Sequence, residues 1–291
     1  MRRAVLPPGE AALRALPWRA TRCPWAVLVS ECMLQQTQTA RVIGPFGAFL
    51  RRFPTPEICA RAGAGEVLRA WSGLGYNRRA LNLHACAVAI VDRHEGKVPD
   101  RLEDLQALPG IGPYTARAVL AFAFEQQVAV VDLNVRRVLS RALAGRRLSA
   151  AEAQGLAERL VPAGRSWLWN QAMLEHGALC CTARAPRCGD CFMRSCCAWR
   201  RTGCAAPDPG APLRSQGRFE GSDRQGRGRL VAALRRGGVA PHDLAAACGW
   251  PGDLARARRA ADALVREGLA TWGPGGVLHL GGTRRAQVTA G

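Results

Sequence analysis

Apolar residues in the first part of the chain recur at three- and four-residue spacing, as in Val67, Leu68 and Trp71 and again in Leu156, Leu160 and Val161. That is the period of helices with one buried face. Strict alternation is rare there, and Gly/Pro turns such as Gly73-Leu74-Gly75 and Pro109-Gly110-Ile111-Gly112 separate the helical stretches. The pattern predicts a mainly α domain over residues 1–204. It lapses over 205–218, where Pro207, Pro209, Gly210 and Pro212 crowd into a linker. It resumes over 219–282: Arg229 to Leu234 and Leu254 to Leu264 predict helices, and Gly268 to Leu280 alternates around Gly273-Pro274-Gly275-Gly276 like a hairpin. Helices followed by a hairpin predict a small winged-helix-like module, with a tail at 283–291. No internal repeat is visible.

Two features of the helical part carry candidate chemistry. Asp100-Arg101-Leu102-Glu103 has the pattern of a capping box and predicts a helix to Leu108. L-P-G-I-G-P-Y-T-A then runs from Leu108 to Ala116, and a second helix is expected to about Phe124. Gly110 and Gly112 permit a tight turn and close approach to another chain, and Pro113 suits the first helical turn. The amides at that helix start would favour a DNA phosphate, although an ordinary αα-turn shares the pattern. The second feature is a pair of carboxyls in apolar surroundings. Glu31 sits within Pro24 to Leu34, just before Gln35-Gln36-Thr37-Gln38. Such surroundings disfavour its charge and suit a general acid. Asp132 follows Val128-Ala129-Val130-Val131. Its plain role is a helix N-cap, and its functional role would be an ionised partner to a protonated acid, the arrangement that cleaves glycosidic bonds.

Composition narrows the partner. The 291 residues carry a formal net charge of +19 with 48% hydrophobic content, so a real core and a polyanion partner are both expected. DNA, RNA and an anionic membrane surface fit that charge. The positive charge is arginine apart from Lys97, and arginine suits bidentate phosphate contact. Met1-Arg2-Arg3 is followed by Pro7-Pro8 rather than an apolar export segment, and no run reaches spanning length. A cytoplasmic location is expected, where the 12 cysteines are poor candidates for disulfides. Cys181, Cys188, Cys191 and Cys197 give C-x6-C-x2-C-x5-C within a loop at 180–204. Four thiolates there can hold one compact centre, iron–sulfur or zinc. Cys180 and Cys196 adjoin proposed ligands, so the register could slip by one residue.

S-E-C-M-L-Q-Q-T-Q, the G-L-G-Y turn, L-P-G-I-G-P-Y-T-A, V-D-L-N-V-R-R-V-L and the four-cysteine loop together resemble adenine DNA glycosylases of the MutY type, within the helix–hairpin–helix superfamily that includes endonuclease III. The resemblance covers residues 10 to about 204. It implies two helical lobes with a [4Fe–4S] cluster on Cys181, Cys188, Cys191 and Cys197. Glu31 would protonate adenine at N7, and Asp132 would stabilise the cationic sugar. Tyr114 would hydrogen-bond near Asp132, and Asn134 would help hold the site. Arg14, Trp18 and Arg19, in R-A-L-P-W-R, are implied to line the base pocket. Gln36 and Thr37 would contact the flipped adenine or the opposing guanine, Tyr76 would wedge beside that guanine, and Gly110 and Gly112 would meet the DNA backbone. The implied partner is duplex DNA with adenine opposite 8-oxoguanine or guanine, bound by a monomer in the nucleoid. Bifunctional relatives place a lysine where Tyr114 stands, so a monofunctional enzyme is expected.

Many relatives add a Nudix-like domain that reads 8-oxoguanine. The residues after Cys204 lack its strand pattern, and F-E-G-S-D-R-Q-G-R-G-R-L resembles the tail opening of shorter actinobacterial members. Two rival readings are a thymine glycosylase at T·G mismatches and a non-catalytic, cluster-bearing DNA-binding protein. The Glu31 context speaks against the first and the paired carboxyls against the second.

Overall fold

The structure, a computed structural model, describes residues 2–211 and 217–282. Part of the expected linker, 212–216, and the expected tail, 283–291, lie outside the described residues. The helices in chain order are α1 (Arg2–Ala11), α2 (Pro24–Leu34), α3 (Thr39–Arg52), α4 (Pro56–Ala62), α5 (Ala64–Ala70), α6 (Arg78–His94), α7 (Leu102–Gln106) and α8 (Pro113–Phe122). They continue with α9 (Leu133–Leu139), α10 (Ala150–Leu160), α11 (Ser166–Leu179), α12 (Ala198–Arg201), α13 (Asp223–Leu234), α14 (Leu244–Cys248) and α15 (Leu254–Arg266). Strands β1 (Ala270–Trp272) and β2 (Leu278–Leu280) close the described chain. None of the described helices is long and apolar enough to cross a membrane.

Local chemistry explains where these helices start. The Thr55 side chain accepts from Ile58 N–H ahead of Pro56. Ser149 and Glu152 form a reciprocal capping box on α10. The box expected at Asp100 does not lead a long helix: α7 covers only Leu102–Gln106 before Leu108 turns into the core. Asp100 instead offers its carbonyl to Gln126 Nε2 at 2.7 Å. Helix α8 ends at Phe122, two residues short of the expected end, and the chain turns through Glu125 at φ 51°.

The chain divides into two compact units interleaved in sequence. The first holds Met1–Val27, Asp100–Gln106 and Ile111–Ser215. Its core joins Val5 of α1, Val135, Val138 and Leu139 of α9, Ala153 and Ala157 of α10, and Trp169 and Met173 of α11. The second holds Leu28–Pro99, Ala107–Gly110 and Gln216–Gly291. It buries Phe49, Phe53 and Trp71 together, with Phe49 and Trp71 edge to face at 6.0 Å.

The C-terminal residues belong to the second unit. Helix α13 starts at Asp223, six residues before the apolar pattern begins, because Ser222 caps it and its early Gly226 and Gly228 hide it from propensity. Strands β1 and β2 are antiparallel, pairing Ala270 with Leu280 and Trp272 with Leu278, and Val239 bridges to Leu278 as a minimal third strand. The order along this part is helix, bridge, two helices and two strands. A Cβ at Gly226 would lie 2.0 Å from the Trp250 ring, whereas nothing lies within 4 Å of one at Gly228. Gly226→Ala should therefore lower stability by about 1–3 kcal/mol, and Gly228→Ala should raise it by about 0.4–1 kcal/mol. Thermal denaturation of the two variants reads these opposite signs.

Candidate active site

The carboxyl of Asp132 sits at the head of α9. The segment leading to it is pinned by Asn170 of α11, which accepts from Val130 N–H at 2.8 Å and donates to Val128 O at 2.9 Å. Asp132 accepts from Val135 N–H at 2.7 Å, the N-cap bond read from the sequence, and from Asn134 Nδ2 at 2.6 Å. The Asn134 carbonyl accepts in turn from Arg137 Nη2 at 2.8 Å, and Arg137 also donates to Gly177 O and Cys181 O, both at 2.7 Å. Gly177 is required here, since a Cβ would lie 2.8 Å from Asn134 Cβ and 3.0 Å from its backbone carbon. Burial pushes the Asp132 carboxyl above its ordinary value, while the bonds from Val135 and Asn134 and the charge of Arg137 pull the other way. Tyr114 stands half-buried in the first turn of α8.

Glu31 lies on α2, 6% exposed, between buried Ser30 and Cys32. The end of its helix is closed by Arg79, which sequence reasoning missed. Arg79 Nη1 donates to the carbonyls of Cys32, Met33 and Gln35 at 2.6–2.8 Å. Its Nη2 reaches Thr37 Oγ1 at 2.9 Å and the carbonyls of Leu74 and Gly75. One guanidinium thus satisfies the orphan carbonyls of α2 and joins the Gln35–Thr37 turn to the Gly73–Tyr76 turn. Burial pushes Arg79 down to about 10. Gln36 and Tyr76 both hold positive φ, 54° and 45°, and Tyr76 is 41% exposed. Gly110 turns the hairpin at φ 76°, and Gly112 precedes α8.

Arg14 and Arg19, expected at the base pocket, both bind the buried Glu175 of α11. Arg19 also donates to Gln171 Oε1 at 2.7 Å, and Trp18 is buried. Burial favours protonation of Glu175, but the hydrogen bonds and charges of the two arginines overcome it and hold the carboxyl at about 2. Gln171 and Glu175 were a missed signal, two buried polar residues four apart on one face of α11.

The cysteine loop borders a small cavity of about 20 Å³ lined by His176, Cys180, Cys181, Cys188, Cys191 and Cys197, with Val138 and Met193 among its apolar walls. All 12 cysteines are free thiols. Arg141, 1% exposed, donates to Cys181 Sγ at 3.4 Å and Thr182 O at 2.7 Å, and pairs with Asp208. A cation fixed against a thiol compensates thiolate charge, so the donor set fits a thiolate-bound metal centre. Among the described residues, the one group of three or more possible ligand atoms within 4.8 Å of one another is His176, Cys180 and Cys191. Of the four expected ligands only Cys191 is in it; Cys181, Cys188 and Cys197 are not.

Residues 29–163 match the family model described as HhH-GPD superfamily base excision DNA repair protein. Solved structures with similar folds include a thermostable thymine-DNA glycosylase, at TM-score 0.66 and 29% identity, covering 69% of this chain and 95% of that one. An endonuclease III trapped as a covalent DNA intermediate follows, at TM-score 0.61 and 23% identity, covering 70% and 97%. Fold and site therefore define a helix–hairpin–helix base excision protein. The adenine DNA glycosylase of Mycobacterium tuberculosis H37Rv is 46% identical over 266 residues, spanning 89% of this chain and 86% of its own. The human adenine DNA glycosylase is 41% identical over 202 residues, spanning 65% of this chain and 37% of its own. The chain belongs to the adenine DNA glycosylase family.

The raised Asp132 gives a sign-definite expectation. A carboxyl with a raised folded pKa favours the fold when protonated and costs stability as pH rises from the unfolded value of about 3.9 through the folded one. Asp132→Asn keeps an oxygen for Val135 N–H and never ionises. Its melting temperature relative to wild type should therefore increase from acid to neutral pH. A difference that stays flat with pH would contradict the raised value.

Proposed function

We propose that the protein is a monofunctional glycosylase that flips out and excises adenine mispaired with 8-oxoguanine or guanine, acting as a monomer on nucleoid DNA in the cytoplasm. The observation that carries this reading is Asp132, fixed at the head of α9 by Val135 and Asn134. Adenine N9 is inaccessible in a stacked duplex, so the nucleotide must leave the stack. Glu31, buried on α2, is the proton donor to adenine N7. As the N-glycosidic bond breaks, its electron pair goes to the protonated base, which departs neutral. The positive charge left at C1′ faces the Asp132 carboxylate, and water completes an abasic site. Tyr76 wedges beside the opposing base, Gln36 and Thr37 hold the bases, and Gly110 and Gly112 grip the backbone. Arg14, Trp18 and Arg19 shape the pocket wall, the arginines acting through Glu175.

Strand cutting by Schiff base needs a lysine at the sugar. Lys97, the chain's one lysine, sits in the turn after α6 with its side chain 83% exposed, close to Glu95. That placement supports release of the base alone.

Cys181, Cys188, Cys191 and Cys197 would hold a [4Fe–4S] cluster, which when bound supplies a fixed, charged loop for DNA rather than reacting atoms. Arg141 and Arg137 brace that loop from α9 and the turn after it. Cys188→Ser should abolish the broad visible absorption of the cluster and the iron content. Retention of both would overturn this ligand assignment.

The function is tested by single-turnover assays on duplexes carrying A opposite 8-oxoguanine, A opposite G, A opposite T and T opposite G, with and without alkali. Adenine release is expected on the first two, with strand cuts only after alkali. Glu31→Gln should slow release by about 10²–10⁴-fold while leaving duplex binding intact. Release of thymine from the last duplex would move the protein to the thymine branch. Binding without any release would leave a non-catalytic reader.

A further inference from the structure

We propose that the C-terminal module sets the position of the Tyr76 turn, with Arg235 as the positioning residue, and so takes part in reading the base opposite the target adenine. This rests on the reading of Tyr76 as the wedge. Arg235 caps the end of α13 and is partly buried. Its Nε donates to Leu68 O in α5 at 2.9 Å, and its Nη2 donates to Asn77 Oδ1 at the start of α6 at 2.7 Å. One planar fork therefore clamps both ends of the segment that presents Tyr76. Asn77 is the N-cap residue of α6 yet makes no side-chain cap bond, and its carbonyl oxygen is given to Arg235 instead.

A further hydrogen bond from the module falls on α5. Gly65 N–H, in the first turn of α5, donates to Gly282 O at 3.2 Å. The module thus holds α5 at both ends and α6 near its start. In the turn between them Tyr76, a non-glycine residue, is held at φ 45°, beside Gly73 and Gly75 at 82° and 70°, values glycine adopts freely. A non-glycine residue at such an angle persists only when its surroundings over-determine it. Arg79 supplies that constraint from within the helical part of the unit, and Arg235 supplies it from the module. A wedge offsets the cost of unstacking only if it does not recoil, so slack in the turn should appear as lost discrimination at the opposing base.

The test uses the full chain with Arg235→Ala, Asn77→Ala, Arg235→Lys, Tyr76→Ala and the Arg235/Tyr76 double variant. Equilibrium binding and single-turnover release are measured on A opposite 8-oxoguanine, A opposite G, and A opposite an abasic analogue that offers no base to wedge. Arg235→Ala and Asn77→Ala should each weaken binding to the base-opposed duplexes by about tenfold. Both should also shrink the 8-oxoguanine-to-guanine ratio, and leave the abasic-analogue duplex within roughly twofold. Arg235→Lys should recover little, because one ammonium cannot span both acceptors. The double variant should be no worse than Tyr76→Ala alone. Asn77→Ala keeps the module's own packing, so it reports the clamp even if Arg235→Ala folds poorly. Equal weakening on all three duplexes, or losses that add to those of Tyr76→Ala, would overturn the proposal. An unchanged ratio in Tyr76→Ala would remove the wedge reading itself, and the proposal with it.

Discussion

The approach of α11 to α9 at Gly177 is the contact on which the orientation of the Asp132 carboxyl depends. Only a residue without a side chain lets Asn134 sit against that helix. With the two helices so close, Arg137 reaches the Gly177 carbonyl and the Asn134 amide from one guanidinium. Asn134 is thereby turned so that its nitrogen faces Asp132. The same Arg137 holds Cys181 O, the point where the cysteine loop leaves α11. Carboxylate orientation and loop position are therefore set by one hydrogen-bonded chain, and a shift at either end is felt at the other.

Arginine has two distinct uses in this chain. The excess of charge reads as a phosphate-facing surface, and many arginines are exposed enough to serve there. Arg79 and Arg141, however, are buried struts, and Arg14 and Arg19 are tied to Glu175. Burying a guanidinium is costly unless its donors are satisfied, and these reach carbonyls, a thiol or a carboxylate. Lysine could not replace them, because a single ammonium cannot bridge the acceptors that each fork spans.

What was legible in the sequence was local. The Asp132 cap and the turn at Gly110 are short-range patterns, and each identifies its element. The struts were not legible, because their partners are far away in sequence. Arg79 meets Gln35 across 44 positions, Arg14 meets Glu175 across 161, and Arg235 meets Leu68 across 167. No periodicity reports such pairings. The start of α13 was hidden for another reason: its glycines lower helix propensity, although Gly226 is there to admit Trp250. The length of α7 was overread because a cap pattern marks a possible start and says nothing about where packing ends the helix.

The Arg79 node links two of the proposed roles. Its carbonyl partners include the last turn of α2, the helix that carries Glu31, and the turns that carry Gln36 and Tyr76. Both turns hold a non-glycine residue at positive φ, a conformation that costs free energy and that neither turn would keep unaided. Because one guanidinium fixes both, the backbone behind Glu31, the proposed proton donor, and the backbone that presents Tyr76, the proposed wedge, share a reference point. Reading the opposing base and placing the acid are then coupled through a single side chain. An enzyme built this way can tie acid placement to correct seating of the wedge, with no large motion of its own.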